Sequence, residues 1–361
     1  MKFSVYTDEF KDAILKVEKA RAKKSTVEVL ENIKMSIENN KCILFASDLE
    51  QFVKTEIEVF DKTDDIFFIF RDTKTLIKAM KFFKESVINF DFENENIKIQ
   101  CGDKKATLAT IKSDNFPDFP KVEGVDVYNY NANKLSERFN LIKYAVGKNI
   151  AKPILTGIHF NNNDMVSCDG YRLAINSDDI LNTKNPFIVA ENTLKLCNDI
   201  LEQDITISVN NKYIQIKNKN TSIVGRLLDG VYVDYKRVIP QNSNKIECNI
   251  KSFADNLKYL KTFLDTKYDP VVWKNDRLIL KNSSGIYEGD MNVMGSFDYS
   301  IGFNCEYMLE SLSQFKAESI NILMGDRNVQ PMLFKDENNT AILLPINPKS
   351  YNSIEEKGQV A

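Results

Sequence analysis

Apolar residues recur at i, i+4 and i+7 in three separate stretches of the chain. Phe10, Ile14 and Val17 form the first stripe. Leu135, Phe139, Ile142 and Val146 form the second, and Phe253, Leu257, Leu260 and Leu264 the third. This spacing places one apolar stripe on each of three amphipathic helices, predicted at 8–25, 131–150 and 251–269. The stripes begin 125 and 118 residues apart (135 − 10 and 253 − 135). The segment after each helix recurs as well. IKMSIENNKCILFASD, GIHFNNNDMVSCDG and VVWKNDRLILK each read as strand, Asn-containing turn, strand. Asn tolerates the positive φ that tight hairpins need. A second helix is predicted in each third, at 72–86, 190–204 and 304–319. Further hairpins come after it, in VINFDFENENIKIQC, ITISVNNKYIQIK and INILMGDRNVQPMLF.

Helix, strands, helix, strands is therefore written three times, which predicts an α+β protein of three repeated domains. An end motif supports the repetition. SDNFPDFPKV (113–122) is echoed by VYVDY within RLLDGVYVDYKRVIP (226–240), with Phe116 and Tyr232 lying 116 positions apart. The predicted domains are 1–125, 126–246 and 247–347, with a polar tail at 348–361.

Length and composition agree with several ordinary globular domains: 361 residues, 43% hydrophobic and 27% charged. No run of 18 apolar residues is present, and MKFSVYTDEF lacks the apolar core of a signal peptide, so a cytoplasmic protein without a membrane partner is expected. Cys42, Cys101, Cys168, Cys197, Cys248 and Cys305 are scattered without any C-x-x-C, which favours buried thiols over a zinc or disulfide framework. His159 is the only histidine and reads as a strand residue in GIHF. Neither a G-x-x-x-x-G-K-[ST] nor a G-x-G-x-x-G loop occurs, and no nucleophile has a histidine base nearby in pattern. These absences weaken an enzyme reading and leave a carboxylate–metal site open.

The net charge is −3, but it is unevenly distributed. The three first helices carry 14 basic residues against 8 acidic, whereas the three second helices carry 6 against 9. Lys16, Lys19 and Lys23 form one turn-spaced row, and Lys74, Lys78 and Lys81 another. Basic helices within an acidic protein suggest a surface that faces phosphate without gripping it.

A set of motifs then becomes specific. MKFSV, ASDLE (46–50), MVSCDGYRLAI (165–175), LLDGVYVDYKRVIP (227–240), SIGFNCEYMLESL (300–312) and TAILLPI (340–346) together resemble the bacterial DNA polymerase III beta subunits, the sliding clamps. The resemblance runs in order through nearly the whole chain. It implies the DNA-clamp fold: three copies of a domain with two helices and antiparallel sheets, two protomers closing head to tail into a ring. It also implies a non-catalytic processivity factor that encircles double-stranded DNA without sequence preference. The partners implied are the replicative DNA polymerase, the clamp loader and other proteins carrying a clamp-binding motif. The competing expectation is a non-encircling, peptide-binding adaptor built from the same domains.

The resemblance assigns a partner-peptide pocket to Leu155, Cys168, Gly170, Tyr171, Arg172, Leu173, Val233, Arg237, Val238, Ile342, Leu344, Pro345 and Ile346. It directs Lys16, Lys19, Lys23, Lys24, Lys78, Lys148 and Lys152 toward DNA. The dimer joint is expected between the strand near 104–110, with Lys104, Ala106 and Leu108, and the strand near 286–294, with Tyr287 and Met291 and with Phe263 across the joint. The chain departs from the family pattern at Val233, where proline is frequent. It departs again at Asn347, where an arginine is common, and in the tail PKSYNSIEEKGQVA beyond it.

Overall fold

The computed structural model describes residues 1–112, 115–123, 126–241 and 244–347; the predicted tail at 348–361 lies outside the described residues. All six predicted helices form. They are α1 (Thr7–Glu18), α2 (Thr73–Met80), α3 (Ala132–Ile142), α4 (Glu191–Ile200), α6 (Ile250–Lys261) and α7 (Cys305–Leu312). A four-residue turn, α5 (Tyr235–Val238), stands between α4 and α6. The apolar stripes are the buried faces: Phe10, Ile14 and Val17, then Leu135, Phe139, Ile142 and Val146, then Phe253, Leu257 and Leu260 are all buried. Four helix starts carry side-chain caps among the described residues. Asp72, Asn249 and Asn304 accept from the backbone N–H groups of Thr75, Ser252 and Tyr307, and Asn131 accepts from those of Asn133 and Lys134.

Every helix is shorter than the periodicity predicts, and past the ends of α1, α3 and α6 side chains take up backbone carbonyls. Beyond α1, Arg21 donates to the carbonyls of Ala22 and Glu31, and the chain turns away instead of running helically to residue 25. At the end of α3, Ser167 donates to the Ile142 carbonyl at 2.6 Å and Arg172 to that of Tyr144 at 2.6 Å. Past α6, Asn282 donates to the Phe263 carbonyl at 2.6 Å.

The Asn turns behave as their chemistry requires. Asn39 and Asn40 adopt φ of 49° and 60°, Asn94 51°, Asn162 53° and Asn275 51°. Each lies at the turn of an antiparallel hairpin.

The chain divides into two compact units, residues 1–136 with 192–227, and 137–191 with 228–361. The second repeat contributes to both, and strand pairing explains why. In the first unit, Gln51–Glu58 of the first repeat pairs with Thr221–Arg226 of the second within a 12-stranded sheet, Val224 opposite Phe52. In the second unit, Arg172–Ser177 of the second repeat pairs with Asn339–Leu343 of the third within a nine-stranded sheet, Leu173 opposite Ile342. The echoed aromatics cover these two joints. Phe116 is buried with Phe45, Phe52 and Val224, and Tyr232 with Leu173, Ile342 and Tyr235. Writing the motif twice thus supplies one aromatic plug for each seam between repeats. The third repeat adds a core around Trp273, Phe253, Phe303 and Phe334. All six cysteines are buried free thiols.

Candidate functional site

The second unit contains an open cavity of about 490 Å³. Its lining is Lys152, Leu155, Cys168, Gly170, Tyr171, Arg172, Leu173, Val233, Val238, Pro331, Ile342 and Leu344. The volume lies within the range of ligand pockets.

One wall is the turn joining the strands Asp164–Cys168 and Arg172–Ser177. Asp169 holds it by accepting from the N–H groups of Tyr171 and Arg172 at 2.8 and 3.0 Å. Gly170 sits at φ +94°, where a side chain would be strained, and its N–H donates to the Cys168 sulfur at 3.4 Å. Burial pushes the Cys168 thiol up, so it serves as an apolar wall. The Leu344 N–H donates to the Tyr171 carbonyl at 2.9 Å, which fixes the last strand of the chain along the same lip.

Arg172 lies under this turn, buried, with each of its nitrogens engaged. It pairs with Asp169 at 3.0 Å and with Glu310 on α7, donates to the Tyr144 carbonyl, and lies 4.0 Å over the Tyr307 ring. Burial opposes its charge, while the hydrogen bond and charge of Glu310, then Asp169, hold its pKa above the ordinary arginine value. Arg172 is a tie between the turn and α7, with its charge paired on both sides.

The opposite wall is the connector after Leu228. Tyr232 stacks flat on His159, 4.7 Å between centroids and 9° between planes, and the Tyr235 hydroxyl donates to Asp164 at 2.6 Å. With these two rings turned inward, Val233 and Val238 are left at the rim, 39% and 44% exposed. His159 lies on the strand Gly157–Asn162 as its sequence context implies, and its Nδ1 is buried with no hydrogen-bond partner. Desolvation depresses its pKa to about 4, against weaker opposing contributions from the Phe187 backbone and Asp164.

The cavity corrects the sequence reading in several places. Arg237 is not in the lining; its side chain is 87% exposed and pairs with Asp234 at 2.9 Å, the short α5 turn directing it outward. Pro345 and Ile346 are also outside it. The Ile346 N–H donates to the Gly302 carbonyl at 2.8 Å, which draws the chain away from the lip. Lys152, expected at DNA, belongs to the lining. Pro331 was not foreseen: it precedes a strand of the third repeat, and no local motif marks it.

The other lysines expected at DNA fall into two groups. Lys23, Lys24, Lys78 and Lys148 are exposed. Lys16 pairs with Asp12, and Lys19 with Asp199 at 3.5 Å. Such surface pairs are worth roughly 0–1 kcal/mol and exchange readily for phosphate. Lys23 falls in the loop after α1, so the row with Lys16 and Lys19 does not continue along one helix.

The two strands expected at the joint leave backbone unpaired, one over part of its length and one along a sheet edge. Lys104–Ile111 pairs along its length with Asn96–Cys101 on one side, but on the other only Thr110 and Ile111 meet a partner strand. Gly285–Asp290 is the end strand of a four-stranded sheet. Phe263 and Tyr287 stack with centroids 4.0 Å apart, both half-buried. Met291 is a correction: it is buried in the core of the third repeat, and the exposed apolar side chains along this edge are Ile286 and Met294, at 56% and 64%.

Among the described residues no group of three His, Cys, Asp or Glu side chains could hold a metal ion, and no helix is long and apolar enough to cross a membrane.

Comparison with known proteins bears on the whole chain. The model of the DNA polymerase III beta subunit N-terminal domain matches residues 1–120, and that of the central domain matches 129–234. The beta sliding clamp of Buchnera aphidicola subsp. Rhopalosiphum padi is 23% identical over 357 residues, covering 94% of this chain and 97% of that protein. That of Haemophilus influenzae is 23% identical over 345 residues, covering 90% and 93%. The solved DNA polymerase III beta subunit of Thermotoga maritima superposes with a TM-score of 0.86 at 23% identity, covering 96% of this chain and 99% of that one. The sliding clamp of Bacillus subtilis gives 0.86 at 20%, with the same coverage. The fold is the one those structures share, and with both family models matching in order across more than half its length, the chain belongs to the bacterial DNA polymerase III beta subunits, the sliding clamps.

Proposed function

We propose that two copies of this chain close head to tail into a ring around duplex DNA, and that the cavity beside Leu173 holds partner proteins by a short extended peptide. The chain acts as a sliding clamp, a tether for the replicative polymerase, and not as a catalyst. The observation that carries the ring is the pair of unfinished edges. Lys104–Ile111 offers free backbone groups beside Lys104 and Lys105, while Gly285–Asp290 offers them beside Glu288 and Asp290. An open edge is a pairing hazard unless another strand covers it, and these two carry opposite charges. A head-to-tail dimer satisfies both edges twice.

Within the ring the exposed lysines Lys23, Lys24, Lys78 and Lys148 meet phosphate. Contacts of that kind are alike at every base pair, which suits sliding. The three repeats at 1–125, 126–246 and 247–347 supply six pseudo-equivalent domains to the closed ring. The clamp acts in the cytoplasm with its loader, its polymerase and other proteins that carry the peptide. The cavity suits such a peptide because its walls are mostly apolar and its lip is a backbone strand.

Loading onto closed circular DNA tests encirclement. The protein is loaded with its loader and ATP, isolated by gel filtration, and the circle is then cut once. Retention on the closed circle and loss after linearisation is expected. Persistence on the linear product, or equal loss from both forms as salt rises, defeats the ring and favours the adaptor.

A further inference from the structure

We propose that the segment 348–356 of this same chain is an intramolecular ligand of the cavity and competes there with partner peptides. The proposal rests on the reading of that cavity as a peptide pocket.

Three observations lead to it. The first is where the segment is rooted. Ile342 and Leu344 are part of the cavity lining, and Leu344 is fixed to the Tyr171 carbonyl. The next anchor is the Ile346 N–H on the Gly302 carbonyl, two residues past a lining residue and two before the segment starts. Tyr351 is seven residues beyond Leu344, a reach of up to roughly 23–25 Å for extended chain, enough to leave the lip and return to it.

The second is apolar complementarity. Tyr171 is 63% exposed and Leu344 41%, and with Val233 and Val238 they form an uncovered apolar rim. The segment PKSYNSIEE is polar except for Pro348, Tyr351 and Ile354. Tyr351 and Ile354 lie three residues apart in the sequence.

The third is charge. Arg172 is buried and its charge is already paired with Asp169 and Glu310. Lys152 is the lining cation that makes no ion pair among the described residues, and it is exposed. Glu355 and Glu356 directly follow Ile354 and match it.

A tether this short sets an effective concentration in the millimolar range. A segment that binds weakly in free solution, with a Kd of about 0.1 mM, then raises the apparent Kd of a competitor about tenfold. Partners must outbid a ligand that is always present.

The probe is a fluorescein-labelled synthetic peptide of residues 348–358, titrated by anisotropy against the full chain, the full chain carrying Tyr351→Ala and Ile354→Ala, and that variant with Val233→Asp added at the half-exposed rim. An unlabelled peptide from the replicative polymerase of the same genome serves as a second ligand. The probe should bind the Tyr351→Ala/Ile354→Ala chain saturably and about tenfold tighter than the unaltered chain. Val233→Asp should remove both peptides. The difference should not depend on chain concentration. Equal binding to the first two chains overturns the proposal, as does no saturable binding to the variant. A difference that grows with chain concentration assigns the segment to a second copy and overturns it too. If the polymerase peptide binds and responds to Val233→Asp while the probe does not bind, the proposal fails and the pocket stands. If neither peptide responds to Val233→Asp, the pocket reading itself has failed.

Discussion

Acid should weaken the second unit through protonation of His159. The ring is buried against Tyr232, its Nδ1 has no partner, and its pKa is depressed from 6.5 to about 4. In the unfolded chain the same group takes up a proton near 6.5. The unfolded state therefore binds more protons between those values, and stability rises with pH across the window. The contribution is fully present above about 6.5 and is lost as pH falls toward 4. With those two values the loss is about 2 kcal/mol by pH 5 and about 3 kcal/mol by pH 4.

Carboxylates also titrate over part of that range, so the measurement is a difference. His159→Phe keeps a flat ring of similar size against Tyr232 and removes the proton. Trp273, the sole tryptophan, is fully buried in the same unit and reports its unfolding in urea. The gap in unfolding free energy between the original chain and His159→Phe should shift by about 3 kcal/mol between pH 7.5 and pH 4, in favour of the variant in acid. A gap that stays constant within about 0.5 kcal/mol would mean that the imidazole is protonated in the folded state, and the argument from its desolvation would be wrong.

Two further outcomes are expected. Lys104→Glu with Lys105→Glu should weaken the dimer roughly tenfold or more in sedimentation, and adding Glu288→Lys with Asp290→Lys should restore it, because opposed edges tolerate exchanged signs but not like ones; a dimer indifferent to both sets rules out this joint. Arg172→Leu should destabilise the second unit by about 3 kcal/mol in urea followed at Trp273, since Asp169 keeps a largely buried carboxylate and the Tyr144 carbonyl loses its donor; a loss below about 1 kcal/mol would show that Arg172 is not the tie.

Most of the architecture was legible because it is carried by local signals that repeat. The stripes led by Phe10, Leu135 and Phe253 mark buried faces whatever they pack on, and Asn39, Asn94 and Asn275 mark turns by their own backbone preference. Helix lengths were not legible for the converse reason. The carbonyls that end α3 are taken by Ser167 and Arg172, more than twenty residues away, and no window around Ile142 contains them. The assignment of Phe116 and Tyr232 to the seams was also out of reach of the sequence, since each seam joins strands of two different repeats. Met291 was misplaced because period-2 alternation shows which residues share a side but not which side is buried: Met291 shares the inward side with Tyr287 and Gly289, and Ile286, Glu288 and Asp290 face out.

The two pocket arginines show why a motif can locate a site and still misstate its chemistry. Arg172 and Arg237 occupy equivalent places in the resemblance, each in a conspicuous run and each three residues after an aspartate. Their fates diverge through those aspartates. Asp169 is tied down by the backbone N–H groups of Tyr171 and Arg172, so it draws Arg172 inward, where Glu310 and Tyr144 complete the shell. Asp234 makes no such turn bonds; it precedes the one-turn α5 and holds Arg237 out in solvent. One arginine is buried with its charge paired, and the other is held out in solvent. The cation available to a ligand is then Lys152, a compact ammonium that attracts carboxylate without imposing the two-pronged geometry of a guanidinium. On the proposed reading of this cavity, peptide selection rests on its apolar walls, with charge acting as a bias and not as a template.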